Sequence, residues 1–183
     1  MGDLLLILIG TALANRLLLR RSTLLPGRLR PLQHAGLVAL ASLFTLILTL
    51  GVAALLETGV PALTGALAWL LAIVPAVLAT GLWMRRAMAQ TGPAPGLLAL
   101  LAINATALGL GLQGLGTAEG GLLLSLLQGL ATGLGFGLLL LLFTAQDERL
   151  AATAVPAPLR GVPLLLLGAA VLLLAVQLGL REP

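Results

Sequence analysis

The sequence predicts an all-α fold: a polytopic membrane protein of six transmembrane helices, arranged as two inverted three-helix repeats, with the first and fourth helices broken. Three observations predict it. Hydrophobic residues make up 60% of the 183-residue chain and charged residues 9%, where a soluble domain is about a quarter charged. The apolar residues fall into six stretches, each close to the ~20 residues that cross a bilayer as a helix. The charges are distributed unevenly between the two ends of those stretches.

Span one covers 4–19 and carries Asn15 and Arg16 inside its apolar run. Its length suits a signal peptide, but Asp3 rather than a basic cluster precedes it and its arginines follow it. It therefore reads as a mature membrane helix. Pro26, Gly27 and Pro31 break the chain after it. Span two covers 37–56 and closes at Glu57. Span three covers 61–83, with Arg85 and Arg86 at its end. Gly92, Pro93, Pro95 and Gly96 separate it from span four, 96–115. Span four holds Asn104 in mid-membrane and a glycine run at Gly109, Gly111, Gly114 and Gly116. Span five covers 121–143; its Gly129 and Gly133 stand four apart on one helix face and predict a closely packed partner helix. Gln146, Asp147, Glu148 and Arg149 read as the loop that ends it. Pro156 and Pro158 stiffen the connector before span six, 162–180.

Charge sets the orientation. Arg16, Arg20, Arg21, Arg28, Arg30, Arg85, Arg86, Arg149 and Arg160 fall on one side, against Arg181 alone on the other. By the positive-inside rule the arginine side is cytoplasmic. Both termini then face the outer side of a bacterial inner membrane. The chain forms a single membrane domain over 1–183, with repeat one at about 1–90 and repeat two at about 91–183. Three helices per half make the halves upside down relative to each other, so spans one and four are counterparts. Trp69 and Trp83 are the candidate interface anchors. The net charge of +4 is topological arginine; with 3% aromatics and no soluble basic domain, nucleic acid is not the expected partner. The bilayer is.

Few residues could carry chemistry. The chain has no cysteine, no lysine, no tyrosine, one histidine and six carboxylates. It builds no thiolate metal site from its own residues. His34 has no further ligand near it in sequence. Polar groups at membrane depth are tolerated where protein buries them or a cavity forms, so Asn15, Arg16 and Asn104 mark an intramembrane polar site between spans one and four. For each, a packing role stands beside the functional one: a helix–helix hydrogen bond for Asn104, snorkelling to the surface for Arg16. Glu57 reads as an interfacial carboxylate that is either solvated or accepts a cation. Glu148, Arg149, Pro156, Pro158 and Arg160 read as a loop that docks a cytoplasmic partner or simply connects two helices.

At that loop the chain resembles a known family. ERLAATAVPAPLRG, residues 148–161, is similar to the last cytoplasmic loop of the A-type membrane subunit of the Rnf ion-translocating electron-transport complex. The E-type membrane subunit of the sodium-pumping NADH:quinone reductase is homologous and shares the likeness. LLLILIGTALANR through Asn15, Leu56 with Glu57, Asn104 with Leu108 and Gly109, and GLGFGLLLLLF from Gly133 to Phe143 resemble that family's first, second, fourth and fifth helices in order. The resemblance implies a non-catalytic membrane protein of a larger complex, paired with an oppositely oriented six-helix homologue. It also implies an intramembrane [2Fe–2S] cluster, with two cysteines from each of the pair.

Here the chain departs from the pattern. Leu25 precedes Pro26 where the family has its first cysteine, and Ala105 follows Asn104 where it has its second. Neither side chain can ligate iron. Thr80 lies roughly where the family's third helix carries an acidic residue. The expectation is an Rnf/Nqr-type subunit with a structural or ion-path role and no cluster or other metal of its own. Two alternatives stay open: a structural membrane subunit recruited into a different assembly, and a small inverted-repeat transporter.

Overall fold

A computed structural model describes residues 2–21, 31–60, 65–87, 95–113, 121–151 and 162–179. They form six helices: α1 (Gly2–Arg21), α2 (Pro31–Gly59), α3 (Ala66–Ala87), α4 (Pro95–Gln113), α5 (Gly121–Ala151) and α6 (Val162–Gly179). Among the described residues there is no strand. Leu and Ala dominate each helix, and both are strong helix formers. Pro31 and Pro95 stand at helix starts, where a missing N–H costs nothing. Arg85 and Arg86 close α3, and Arg149 lies in the last turn of α5; a cation there meets the negative end of the helix dipole. Pro75 sits inside α3 on an exposed face, and the helix runs on through it.

Among the described residues, three helices are long and apolar enough to cross a membrane: Pro31–Gly59, Ala66–Arg86 and Leu122–Arg149. A shorter apolar stretch, Gly96–Gly109, lies in α4. Leucines, isoleucine and valines face outward on every helix, including Leu6, Leu55, Val74, Ile103, Leu138 and Val171. So much outward apolar surface exceeds what a water-soluble monomer shows and suits contact with lipid.

The broadest contact in the bundle is α2 with α5, followed by α2 with α3 and α1 with α5. Glycines make the first of these close. Gly129 meets Leu50, Gly133 meets Leu43 and Gly137 meets Ala39. A Cβ on Gly133 would stand 3.2 Å from the Leu43 Cα, and one on Gly137 3.3 Å from the Ala39 Cβ. The partner helix expected from these glycines is therefore α2. Gly109 likewise lies flat under the Trp69 indole, which joins α4 to α3. Helix α1 packs on α5, α4 and α6 but barely on α2, and α4 packs on α1, α2 and α3.

The turn from α2 to α3 is fixed locally. Gly65 has φ 55°, a left-handed conformation that glycine adopts without a Cβ clash. The Glu57 carboxylate accepts the Gly65 N–H at 3.0 Å, and the Trp69 N–H reaches the Gly65 carbonyl at 3.1 Å. Glu57 thus ties the end of α2 to the start of α3.

Several expectations need correction. Helix α4 is continuous through Asn104, so the break expected there is absent. The reason is that the Asn104 amide finds side-chain partners on other helices and leaves the backbone ladder intact. Helix α1 is likewise continuous through Asn15 and Arg16 to Arg21. Gln146, Asp147, Glu148 and Arg149 are the last turns of α5 rather than a loop. Trp69 is 4% exposed and is a packing residue between helices, not an interface anchor. Trp83 is partly exposed and lies against Phe44, with ring centroids 5.3 Å apart. Leu25, Pro26, Pro156, Pro158 and Arg160 lie outside the described residues.

Candidate functional site

Asn15 and Arg16 are consecutive on α1, so their side chains leave the helix about 100° apart. That divergence organises the interior of the bundle. Asn15 points at α4. Its Nδ2 donates to the Asn104 Oδ1 at 2.6 Å, and the Asn104 Nδ2 donates back to the Asn15 Oδ1 at 3.1 Å. The second hydrogens are used too: Asn15 donates to the Thr11 carbonyl at 2.8 Å, and Asn104 to the Ser42 hydroxyl of α2 at 2.9 Å. Three helices are joined by neutral groups, and Asn15, Ser42 and Asn104 are all buried. A hydroxyl ladder continues along α2. Thr45 lies 2.9 Å from Thr80 of α3, and Thr45, Thr49 and Thr80 each bond the carbonyl one turn earlier.

Arg16 points instead at α5, where its Nη2 donates to the Asp147 Oδ2. Both residues are buried, Arg16 to 6% exposure, and the Arg16 Nε has no hydrogen-bond partner. A charged arginine turned into the bundle is costly to bury unless it is paired. A carboxylate beside it recovers part of that. The Arg16 side chain is turned into the bundle and paired. Glu148 and Arg149, next along α5, are exposed.

The sequence points to Asn15, Arg16 and Asn104 as one region; the structure brings Asn15 and Asn104 into contact and turns Arg16 to a different helix. It adds Ser42 and Asp147. Ser42 gives no sequence signal. Asp147 does give one: a buried arginine demands a counter-charge, and Asp147 follows span five on the same, arginine-rich side. Two further groups stand out. The Trp69 Nε1 is buried without a hydrogen-bond partner. Ala105, beside Asn104, is 1% exposed and packs in the hydrophobic core with Leu101 and Leu108. Chemically, the amides and hydroxyls orient and hold; they neither titrate near neutral pH nor attack. Among the described residues no three His, Cys, Asp or Glu side chains stand together as a metal site would require.

A family model described as Rnf-Nqr subunit, membrane protein, matches residues 30–180. The chain belongs to that family. Similar curated proteins include two that align over nearly their whole length, both named as the A-type subunit of an ion-translocating oxidoreductase complex. The protein from Cereibacter sphaeroides is 35% identical over 96% of this chain and 95% of its own. The protein from Aliivibrio salmonicida is 31% identical over 96% of this chain and 95% of its own. A protein of the same name from Pseudomonas aeruginosa is 42% identical over a shorter stretch, which spans 43% of this chain and 40% of the relative. No solved structure matches the chain. The Rnf-Nqr match takes in Asn104, Ala105, Asp147 and the 148–161 motif, and starts after Asn15 and Arg16.

Proposed function

We propose that this chain is a membrane subunit of an ion-translocating oxidoreductase complex, serving a structural or ion-path role without a [2Fe–2S] cluster of its own. Family membership and the names of the full-length relatives support the first part. One observation carries the second: position 105 is an alanine packed among leucines. The neighbouring Asn104 amide is fully engaged with Asn15 and Ser42. Iron in such a cluster takes thiolate or imidazole ligands. The residues present do not fit it, and no electron-transfer step is assigned to this chain.

The proposal includes a topology: six spans in a bacterial inner membrane, as two inverted three-helix repeats within one membrane domain. Both termini face the outer side and the arginine-rich ends the cytoplasm. The packing supports it. Exchange α1 with α4, α2 with α5 and α3 with α6: the α2–α5 and α1–α4 contacts map onto themselves, α1–α5 onto α2–α4 and α3–α4 onto α1–α6, whereas the broad α2–α3 contact maps onto the slight α5–α6 one. The reciprocal Asn15–Asn104 pair lies where such an axis would pass. The arginines at the ends of α1, α3 and α5 support the orientation. An oppositely oriented six-helix homologue is the proposed partner, together with further membrane proteins of the complex.

Purification of the tagged chain in mild detergent, with identification of what accompanies it, tests this. Co-purifying flavin-bearing and iron–sulfur subunits are the expected result. A different set of membrane proteins would favour recruitment into another assembly, and a homodimer alone would favour a small transporter. Either would overturn the proposal. The cluster claim has its own test. A [2Fe–2S] signal in electron paramagnetic resonance that tracks the purified chain and disappears in Ala105→Leu would sink it.

A further inference from the structure

Helix α1 carries one charge within its apolar run. Asp3 stands at its start and Arg20 and Arg21 at its arginine-rich end, whereas Arg16 falls inside its apolar run. Arg16 is buried in the bundle, in the last third of the helix. Asp147 is its hydrogen-bond partner among the described residues, and lies 131 positions later in the chain. The next carboxylate along α5, Glu148, is exposed and turned elsewhere. Contacts to α2, the next helix in sequence, are slight, whereas those to α5 are broad.

We infer that α1 depends on α5 for its place in the membrane, and that Asp147 is the group on which it docks. The earliest of the six helices in sequence is then among the last to be secured. Until α5 arrives, Arg16 has no counter-charge in the bundle, and drawing it inward competes with leaving it in the aqueous phase. When α5 inserts, its carboxylate neutralises Arg16, while α4, already in place, offers Asn104 to Asn15. The buried ion pair thus specifies where α1 goes rather than adding stability for its own sake, a role for which buried ionic groups are best attested. The inference rests on the six-span topology proposed above.

The chain has no cysteine, so a single introduced thiol reports position without background. Gly2→Cys places it at the start of α1, and a membrane-impermeant maleimide applied to right-side-out vesicles reads whether it reaches the outer face. The expected result is outside labelling in the otherwise unchanged chain, with a loss of about twofold or more on Asp147→Ala. Adding Arg16→Leu to Asp147→Ala restores it, since the helix then carries no buried charge to neutralise. The restoration separates docking from simple misfolding. Full labelling of the Asp147→Ala chain would overturn the inference, as would a double variant labelled no better than Asp147→Ala alone. A thiol labelled only from the inner face before any further change would instead overturn the topology, and the inference with it.

Discussion

Asn104 makes three side-chain hydrogen bonds to two other helices, counting both bonds with Asn15. Replacing it with leucine, a residue of similar size, leaves the Asn15 amide and the Ser42 hydroxyl without those partners. Interhelical hydrogen bonds in membranes contribute about 0.6 kcal/mol on average and up to about 1.7. Asn104→Leu is therefore expected to destabilise by about 1–2 kcal/mol in an SDS unfolding titration. Asn15→Leu should cost a similar amount. The double variant should cost clearly less than the sum, because the second change removes a group already orphaned by the first. Strict additivity would mean that the two amides do not act as a pair. Asn15 and Asn104 are legible in the sequence because an amide is rare inside an apolar run. Ser42 is not legible, because a lone serine on a membrane helix is ordinary until its neighbour is known. Asp147 reads as a loop residue because hydropathy falls off before the helix does. The backbone ladder of α5 continues to Ala151, beyond the apolar stretch that ends at Phe143.

Helix by helix, the same effect explains the boundaries. The apolar runs locate all six helices, but α2 begins at Pro31 and α5 ends at Ala151. Hydropathy reports the length that suits lipid, whereas helix propensity carries the backbone on into polar residues. Conversely, α3 starts later than the run at 61–83 suggests, because Gly65 adopts a left-handed turn just before it. Where helices meet, glycine decides the distance. A methyl group on Gly133 would stand 3.2 Å from the Leu43 backbone, which cannot rotate away. Gly133→Ala is thus expected to push α2 and α5 apart and cost about 1–3 kcal/mol. Gly10, with nothing within 4 Å of an added Cβ, is the control. Gly10→Ala should be neutral or stabilising by up to about 1 kcal/mol, since alanine is the better helix former. Equal effects of the two substitutions would mean that the seam is not close-packed.

For the whole molecule, the proposed topology makes a direct claim about the ends. A reporter active only in the cytoplasm should be silent when fused after Pro183, and active when fused after Arg86, near the end of α3 on the arginine-rich side. Activity at Pro183 would invert or break the six-span arrangement. How much of the bundle can be foreseen depends on the range of the contact. The glycine spacing on α5 announces a close neighbour, yet it does not say that the neighbour is α2. Arg16 announces a buried charge, yet its partner lies on a helix 131 residues away. Period and composition act along one helix; pairing between helices is settled by the packing of the assembled bundle.

The Trp69 indole, pressed on Gly109 with its N–H unbonded, also gives the protein an optical property. The chain has two tryptophans and no tyrosine, so Trp83→Phe leaves one strong ultraviolet emitter, held in an apolar contact between α3 and α4. Its fluorescence should be blue-shifted in the folded state and move to the red as α3 and α4 part, which makes native emission a label-free gauge of that single seam.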